Sequence, residues 1–299
     1  MKPPIVVFLC GLGAALIAFG ISASRKIQAD PVNPAHAEQA VRRSLWRHPR
    51  LMRFLHERVD RKSAGGFLLT ASLLVLFAVA MFTGVVLDMI DNNTGFARAD
   101  KSVASWGSRN GTTTTAHVMK WVTQLGSTTV IVAALLITAC VDYVRRRSRE
   151  VFAFVAAIGI GELVLNNVLK LIVHRERPSV LRLVVVHGYS FPSGHTVAAS
   201  ACWMGIALVF GRDKSRLVRA SLAAVAALIA VSVAASRALL GVHWLTDVIA
   251  GLAIGWGWFT IVAIIFGGRA QRLGDPVAEH PQGTTTAAAA KLPDHATSS

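Results

Sequence analysis

Seven stretches of roughly 20 mostly apolar residues punctuate this chain, and about 20 is what a helix needs to cross the hydrocarbon core of a bilayer. They fall at residues 5–22, 67–87, 121–143, 151–173, 196–210, 217–235 and 244–266. The fourth and fifth are short or Ala-rich and are read as spans because the alternation described next needs them. Only 16% of the residues are charged, against about a quarter in soluble domains, which points the same way. The expected fold class is all-α, a polytopic membrane helical bundle.

A formal net charge of +15 invites a nucleic-acid reading, but the positions of the cations argue against it. Lys and Arg collect on the cytoplasmic loops of membrane proteins. Arg145, Arg146, Arg147 and Arg149 separate the third and fourth stretches, and Arg212, Lys214, Arg216 and Arg219 separate the fifth and sixth. Arg269 and Arg272 follow the seventh, and the basic stretch 25–62 follows the first. Simple alternation puts all of these on one side. Segments 88–116, 174–195 and 236–243 then lie on the other. The charge reports orientation in a plasma (inner) membrane, and no nucleic-acid partner is expected.

Four regions are expected: an anchor helix at 1–24, a basic cytoplasmic linker at 25–66, a six-span domain at 67–268 and a disordered tail at 269–299. Residues 1–24 also look like a secretory signal, but cleavage would leave the basic stretch outside, so an uncleaved anchor with an outer N-terminus is preferred. Within 39–61, Trp46, Leu51, Phe54 and Leu55 alternate with Arg43, Arg50 and Arg53. That pattern suits an interfacial helix or a solvated linker equally. The 88–116 segment reads as an external loop with a short interfacial helix. Cys10, Cys140 and Cys202 sit in apolar runs and imply no disulfide framework.

The chemistry sits in the outer segments. Glu162, Asn166 and Lys170 are four apart and share one helix face; Arg175, Arg177 and Pro178 follow, with Pro178 expected to end the helix. Arg grips phosphate oxygens bidentately, whereas Lys acts as a point charge. Next, Pro192-Ser193-Gly194-His195 opens an apolar run. Ser193 is a favoured N-cap, and free amides at a helix start, with Gly194 permitting close approach, make an anion cradle. Last, Ser236-Arg237 precedes His243 and Asp247, which are four apart and so are expected to share one helix face. An Asp that fixes one ring nitrogen leaves the other free to attack; alternatively the pair merely stabilises a helix start.

These three segments resemble, position by position and in order, the signature motifs of the type 2 phosphatidic acid phosphatase family, in its bacterial membrane-bound lipid phosphatase form. The resemblance implies a six-helix core, here with one extra N-terminal helix. It implies that His243 attacks phosphorus to form a phosphohistidine, with Asp247 supporting the imidazolium and His195 acting as general acid and base. Lys170, Arg177, Ser193, Gly194 and Arg237 would hold the phosphoryl oxygens. No carboxylate cluster accompanies the motifs, so neither a metal nor another cofactor is expected.

The partner would be a lipid phosphate within the bilayer, either a polyprenyl pyrophosphate or a phospholipid phosphate such as phosphatidate or phosphatidylglycerophosphate. A phosphotransferase using the same site is the alternative. A transporter fits less well, because transport sites lie near the midplane and here only Glu162, Asn166 and Asn167 lie deep. A vanadium haloperoxidase would be soluble.

Overall fold

A computed structural model of the chain describes residues 2–23, 64–179 and 188–267. Nine helices occur among them: α1 (Pro3–Ala23), α2 (Ala64–Asp91), α3 (Ala97–Asn110), α4 (Thr113–Gln124), α5 (Thr128–Arg146), α6 (Glu150–Val173), α7 (Gly194–Gly211), α8 (Arg216–Leu239) and α9 (Leu245–Gly267). Seven of them, all but α3 and α4, are long and apolar enough to cross a membrane. The chain is an all-α, multi-pass membrane helical bundle. The expected linker at 25–66 lies outside the described residues up to 63, and the expected tail lies outside them from 268.

The third apolar stretch differs from its reading as one span over 121–143. α4 ends at Gln124, and α5 begins at Thr128 behind the N-cap Ser127, whose Oγ accepts from the Val130 amide at 3.4 Å. Packing makes the break. A Cβ at Gly126 would stand 2.5 Å from the carbonyl of His195, and the Trp203 indole donates to the Leu125 carbonyl at 2.9 Å. The 88–116 segment is correspondingly more ordered than a loop: α3 and the start of α4 fill most of it.

α7 is the hub. Its spanning window is 61% buried, the highest of the seven, and α5, α6, α8 and α9 all pack on it. It can be surrounded because its faces carry Ala198, Ala199, Ser200, Ala201 and Gly205, small residues that let helix backbones approach. Gly251 and Gly255 of α9 complete the fit against Thr196 and Ser200. The two ends of the bundle carry different polar groups. At one end Arg146 bridges Asp142 and Asp213 at 3.2 and 3.3 Å, beside Arg212. The opposite end carries the C-terminus of α6, the start of α7 and the α8–α9 turn, which hold the three motifs.

α1 packs along α8, with Gly11 against Leu228 and Ser232. Its N-terminal end lies at the motif-bearing end, where Val7 joins Met119, Leu239, Leu240 and Val242 in one apolar cluster. The extra helix therefore buttresses the turn that carries His243.

Candidate active site

α6 stops at Val173, where His174 adopts a left-handed backbone (φ 49) and its amide bonds to the Lys170 carbonyl. The helix therefore ends five residues before Pro178, which was expected to end it. The freed segment runs beside residues 188–193, held by bonds from the Ser190 amide to the Arg175 carbonyl (2.8 Å) and from the Ser190 hydroxyl to the Glu176 carbonyl (2.9 Å). The Trp244 indole donates to that same Glu176 carbonyl at 2.9 Å. These ties bring the first, second and third motifs into one nest.

Arg177 anchors the nest from one side. Its Nε and Nη2 donate to the carbonyls of Gly188 and Tyr189 at 2.8 and 3.1 Å, and its Nη1 donates to the Val242 carbonyl at 2.7 Å. The same Nη1 lies 3.2 Å from His243 Nε2. On the far side of the ring, Nδ1 stands 2.8 Å from the Ser190 carbonyl. A carbonyl only accepts and a guanidinium only donates, so the tautomer follows: hydrogen on Nδ1, lone pair on Nε2. The ring is 2% exposed. Burial pushes its pKa from 6.5 down to about 4, with the Arg237 and Arg177 charges acting in the same sense and Asp247 against them. His243 is neutral at ordinary pH.

Two details of the third motif differ from the expectation. His243 lies in the turn before α9 and not on its face; Asp247 alone occupies the first turn. Asp247 Oδ2 is 3.6 Å from Nδ1, an ion-pair distance and not a hydrogen bond, while it accepts from the Trp244 amide at 2.9 Å. The Ser190 carbonyl therefore fixes the ring, and Asp247 supplies charge beside it.

Ser193 stands at the N-cap position of α7 but does not cap it. Its fully buried Oγ instead accepts from the Thr196 hydroxyl at 2.9 Å, which leaves its own O–H to donate. The Gly194 and His195 amides have no backbone acceptor among the described residues, as the first turn of a helix leaves them. A Cβ at Gly194 would stand 3.0 Å from Asn166 Nδ2 and 3.4 Å from Lys170 Nζ, so both side chains press on the start of α7. Arg237, 5% exposed, has an Nε with no hydrogen-bond partner among the described residues. His195 is within electrostatic range of Arg237, His243, Lys170 and Arg177. Every residue expected at the site thus reaches one nest, with three cations around two imidazoles.

The model of the PAP2 superfamily matches residues 150–270. Phosphatidylglycerophosphatase B of Bacillus subtilis is 32% identical over 152 residues, which cover 49% of this chain and 72% of that protein.

The chain belongs to the PAP2 superfamily.

The lipid A 1-phosphatase of Rhizobium etli is 36% identical over 76 residues, 25% of this chain and 28% of that protein. The crystal structure of the transmembrane PAP2 type phosphatidylglycerolphosphate phosphatase from Bacillus subtilis superposes with a TM-score of 0.60 at 27% identity. It covers 66% of this chain and 97% of the other. The protein is a membrane lipid phosphatase of the PAP2 type.

One group around the PAP2 nest was not legible in the sequence. Arg175, which reads as one more cation of the first motif, turns away from the nest to two acids. Its Nη1 donates to Asp247 Oδ1 at 2.5 Å and to the Thr246 hydroxyl at 2.7 Å, and its Nη2 donates to Asp100 Oδ2 at 2.8 Å. Its guanidinium also lies over the Trp244 ring, 5.4 Å from the centroid. Asp100 comes from α3, 146 positions away from Thr246, and no local pattern announces it.

Proposed function

We propose that this chain hydrolyses a phosphate ester of an amphiphilic membrane lipid through a phosphohistidine on His243, at the bilayer face opposite the arginine-rich loops. The observation that carries the reading is the clamped imidazole: Nδ1 held by the Ser190 carbonyl, Nε2 unprotonated and turned to Arg177. That is the form a nitrogen nucleophile needs. Positive-inside asymmetry supports the outer face, in a plasma (inner) membrane.

In the first step the Nε2 lone pair forms a bond to phosphorus while the bond from phosphorus to the lipid oxygen breaks. His195 gives that oxygen a proton, and the lipid alcohol leaves. In the second step His195 takes a proton from water, the hydroxide attacks phosphorus and the N–P bond breaks. Inorganic phosphate departs, and His243 is neutral again. Lys170, Arg177, Arg237, the Ser193 hydroxyl and the Gly194 amide would bind the three equatorial oxygens, where charge stabilisation counts most. The orphaned Nε of Arg237 supports this, since a buried donor without an acceptor is costly and a phosphoryl oxygen would satisfy it. With three fixed cations in place, activity is expected without a divalent metal.

The substrate class proposed is a glycerophospholipid monophosphate of the phosphatidylglycerophosphate kind, by similarity to the Bacillus subtilis relative. Residues 67–268 are the proposed catalytic unit, with 1–24 as its anchor. Detergent-purified full-length chain, given a panel of phosphatidylglycerophosphate, phosphatidate and polyprenyl pyrophosphate with and without EDTA, tests the reading. Phosphate release in both conditions is expected, greatest from phosphatidylglycerophosphate. Transfer of the phosphoryl group to an added alcohol with no free phosphate, or no turnover on any lipid, would overturn it.

A further inference from the structure

We infer that Asp100, on α3 and outside the segment the family model matches, is a positioning residue that supplies the negative charge Arg175 takes away from Asp247 beside His243. The inference rests on the phosphohistidine reading above.

Asp100 is 3% exposed and fully engaged. Its Oδ1 accepts from the Thr246 amide at 2.9 Å, and its Oδ2 accepts from the Thr246 hydroxyl at 2.7 Å and from Arg175 at 2.8 Å. Arg175 in turn binds Asp247, whose other oxygen is the acid nearest the His243 ring. Asp247 and Arg175 alone cancel and would offer a developing imidazolium almost nothing. With Asp100 the trio carries one net negative charge.

That charge is needed because the rest of the surroundings is positive. Arg177 from the segment after α6 and Arg237 from α8 lie within electrostatic range of His243, and Lys170 of α6 lies within range of both; the His195 imidazole faces the same ring from the start of α7. α1 and α4 bring Val7 and Met119 into the apolar cluster beside this turn. Bonding Nε2 to phosphorus places positive charge on the ring, and the two acids sharing one guanidinium are what oppose the surrounding cations.

A plain structural role, docking α3 onto the start of α9, predicts something different, and pH profiles separate the two. Steady-state kinetics on a short-chain phosphatidate would be measured for the full-length chain between about pH 3.5 and 9. His243→Ala in parallel reports on the underlying reading: if it keeps wild-type rates, that reading fails, whatever Asp100 does. Asp100→Asn is expected to lower kcat about tenfold with KM within about twofold, and Asp100→Glu to recover most of the loss. Arg175→Gln is expected to raise the acid limb of kcat/KM by about one pH unit, the size of shift a single nearby charge produces. Adding Asp100→Asn to Arg175→Gln should bring that limb back down. Lowered Tm with acid limbs unmoved in every variant would overturn the proposal, as would Asp100→Glu no better than Asp100→Asn. Failure of all these variants to fold would mark Asp100 as a brace and overturn it equally.

Discussion

The carbonyl of Ser190 stands 2.8 Å from His243 Nδ1, nearer than the carboxylate of Asp247 at 3.6 Å. Where a carboxylate alone sets the tautomer of a catalytic histidine, its amide variant costs about 10⁴ in rate. Here a backbone carbonyl does that work. Asp247→Asn is therefore expected to lower kcat by only about 10²-fold, a general-acid–base-sized loss, and to stay measurably active where His243→Ala is not. Equal inactivity of the two variants in a phosphate-release assay would contradict this.

The depressed pKa of His243 sets one limb of the pH profile. Protonation disables Nε2, so activity is present above the folded-state pKa and lost as pH falls through about 4. A general acid that must carry a proton in the substrate complex sets the alkaline limb of kcat, which should be bell-shaped. An acid limb at the ordinary imidazole value of 6.5 would show that His243 is not held as described. Stability follows the same sign: the unfolded chain binds a proton that the folded one refuses, so the His243 contribution is intact above about 6.5 and declines below it.

Arg237 is buried with an Nε that no group among the described residues satisfies. Arg237→Met should cost about 10²–10³ in kcat/KM, as loss of one oxyanion donor does. Without ligand, its Tm should equal or exceed wild type, because an uncompensated buried charge is gone. Thermal stabilisation by orthovanadate should disappear in the same variant. A lowered Tm with vanadate protection intact would refute the assignment.

Gly194 is a steric prediction. An added methyl would stand 3.0 Å from Asn166 Nδ2 and 3.4 Å from Lys170 Nζ, tight enough to move one of them. Gly194→Ala should raise KM and lower kcat by about tenfold together, since a displacement of about 1 Å is costly in a positioned site. Asn166→Ser in the same chain should restore part of the loss by making room.

The parts legible in the sequence are those with a local cause. Twenty apolar residues in a row need no partner to declare a span, and α6, α8 and α9 lie within a few residues of where hydropathy puts them. The break at Gly126 escaped because its cause is the His195 backbone, 69 positions on. The site motifs were visible because Lys170, Arg177, His195, Arg237, His243 and Asp247 follow one another in a fixed order and spacing at the ends of apolar runs. Asp100 was not, since one acid on a short polar helix looks like any solvated residue until Thr246 and Arg175 are folded against it. The geometry around Asp247 was hidden for a related reason: spacing of four suggests a helical pair, and it does not reveal that the helix starts only at Leu245.

Rapid quench with a lipid labelled in its phosphate reads out the covalent bond between His243 and phosphorus. A burst of protein-bound label is expected that is stable in base and labile in acid, maps to His243 and is absent from His243→Ala. Turnover at full rate with no label on that residue, or label on another side chain, would contradict it.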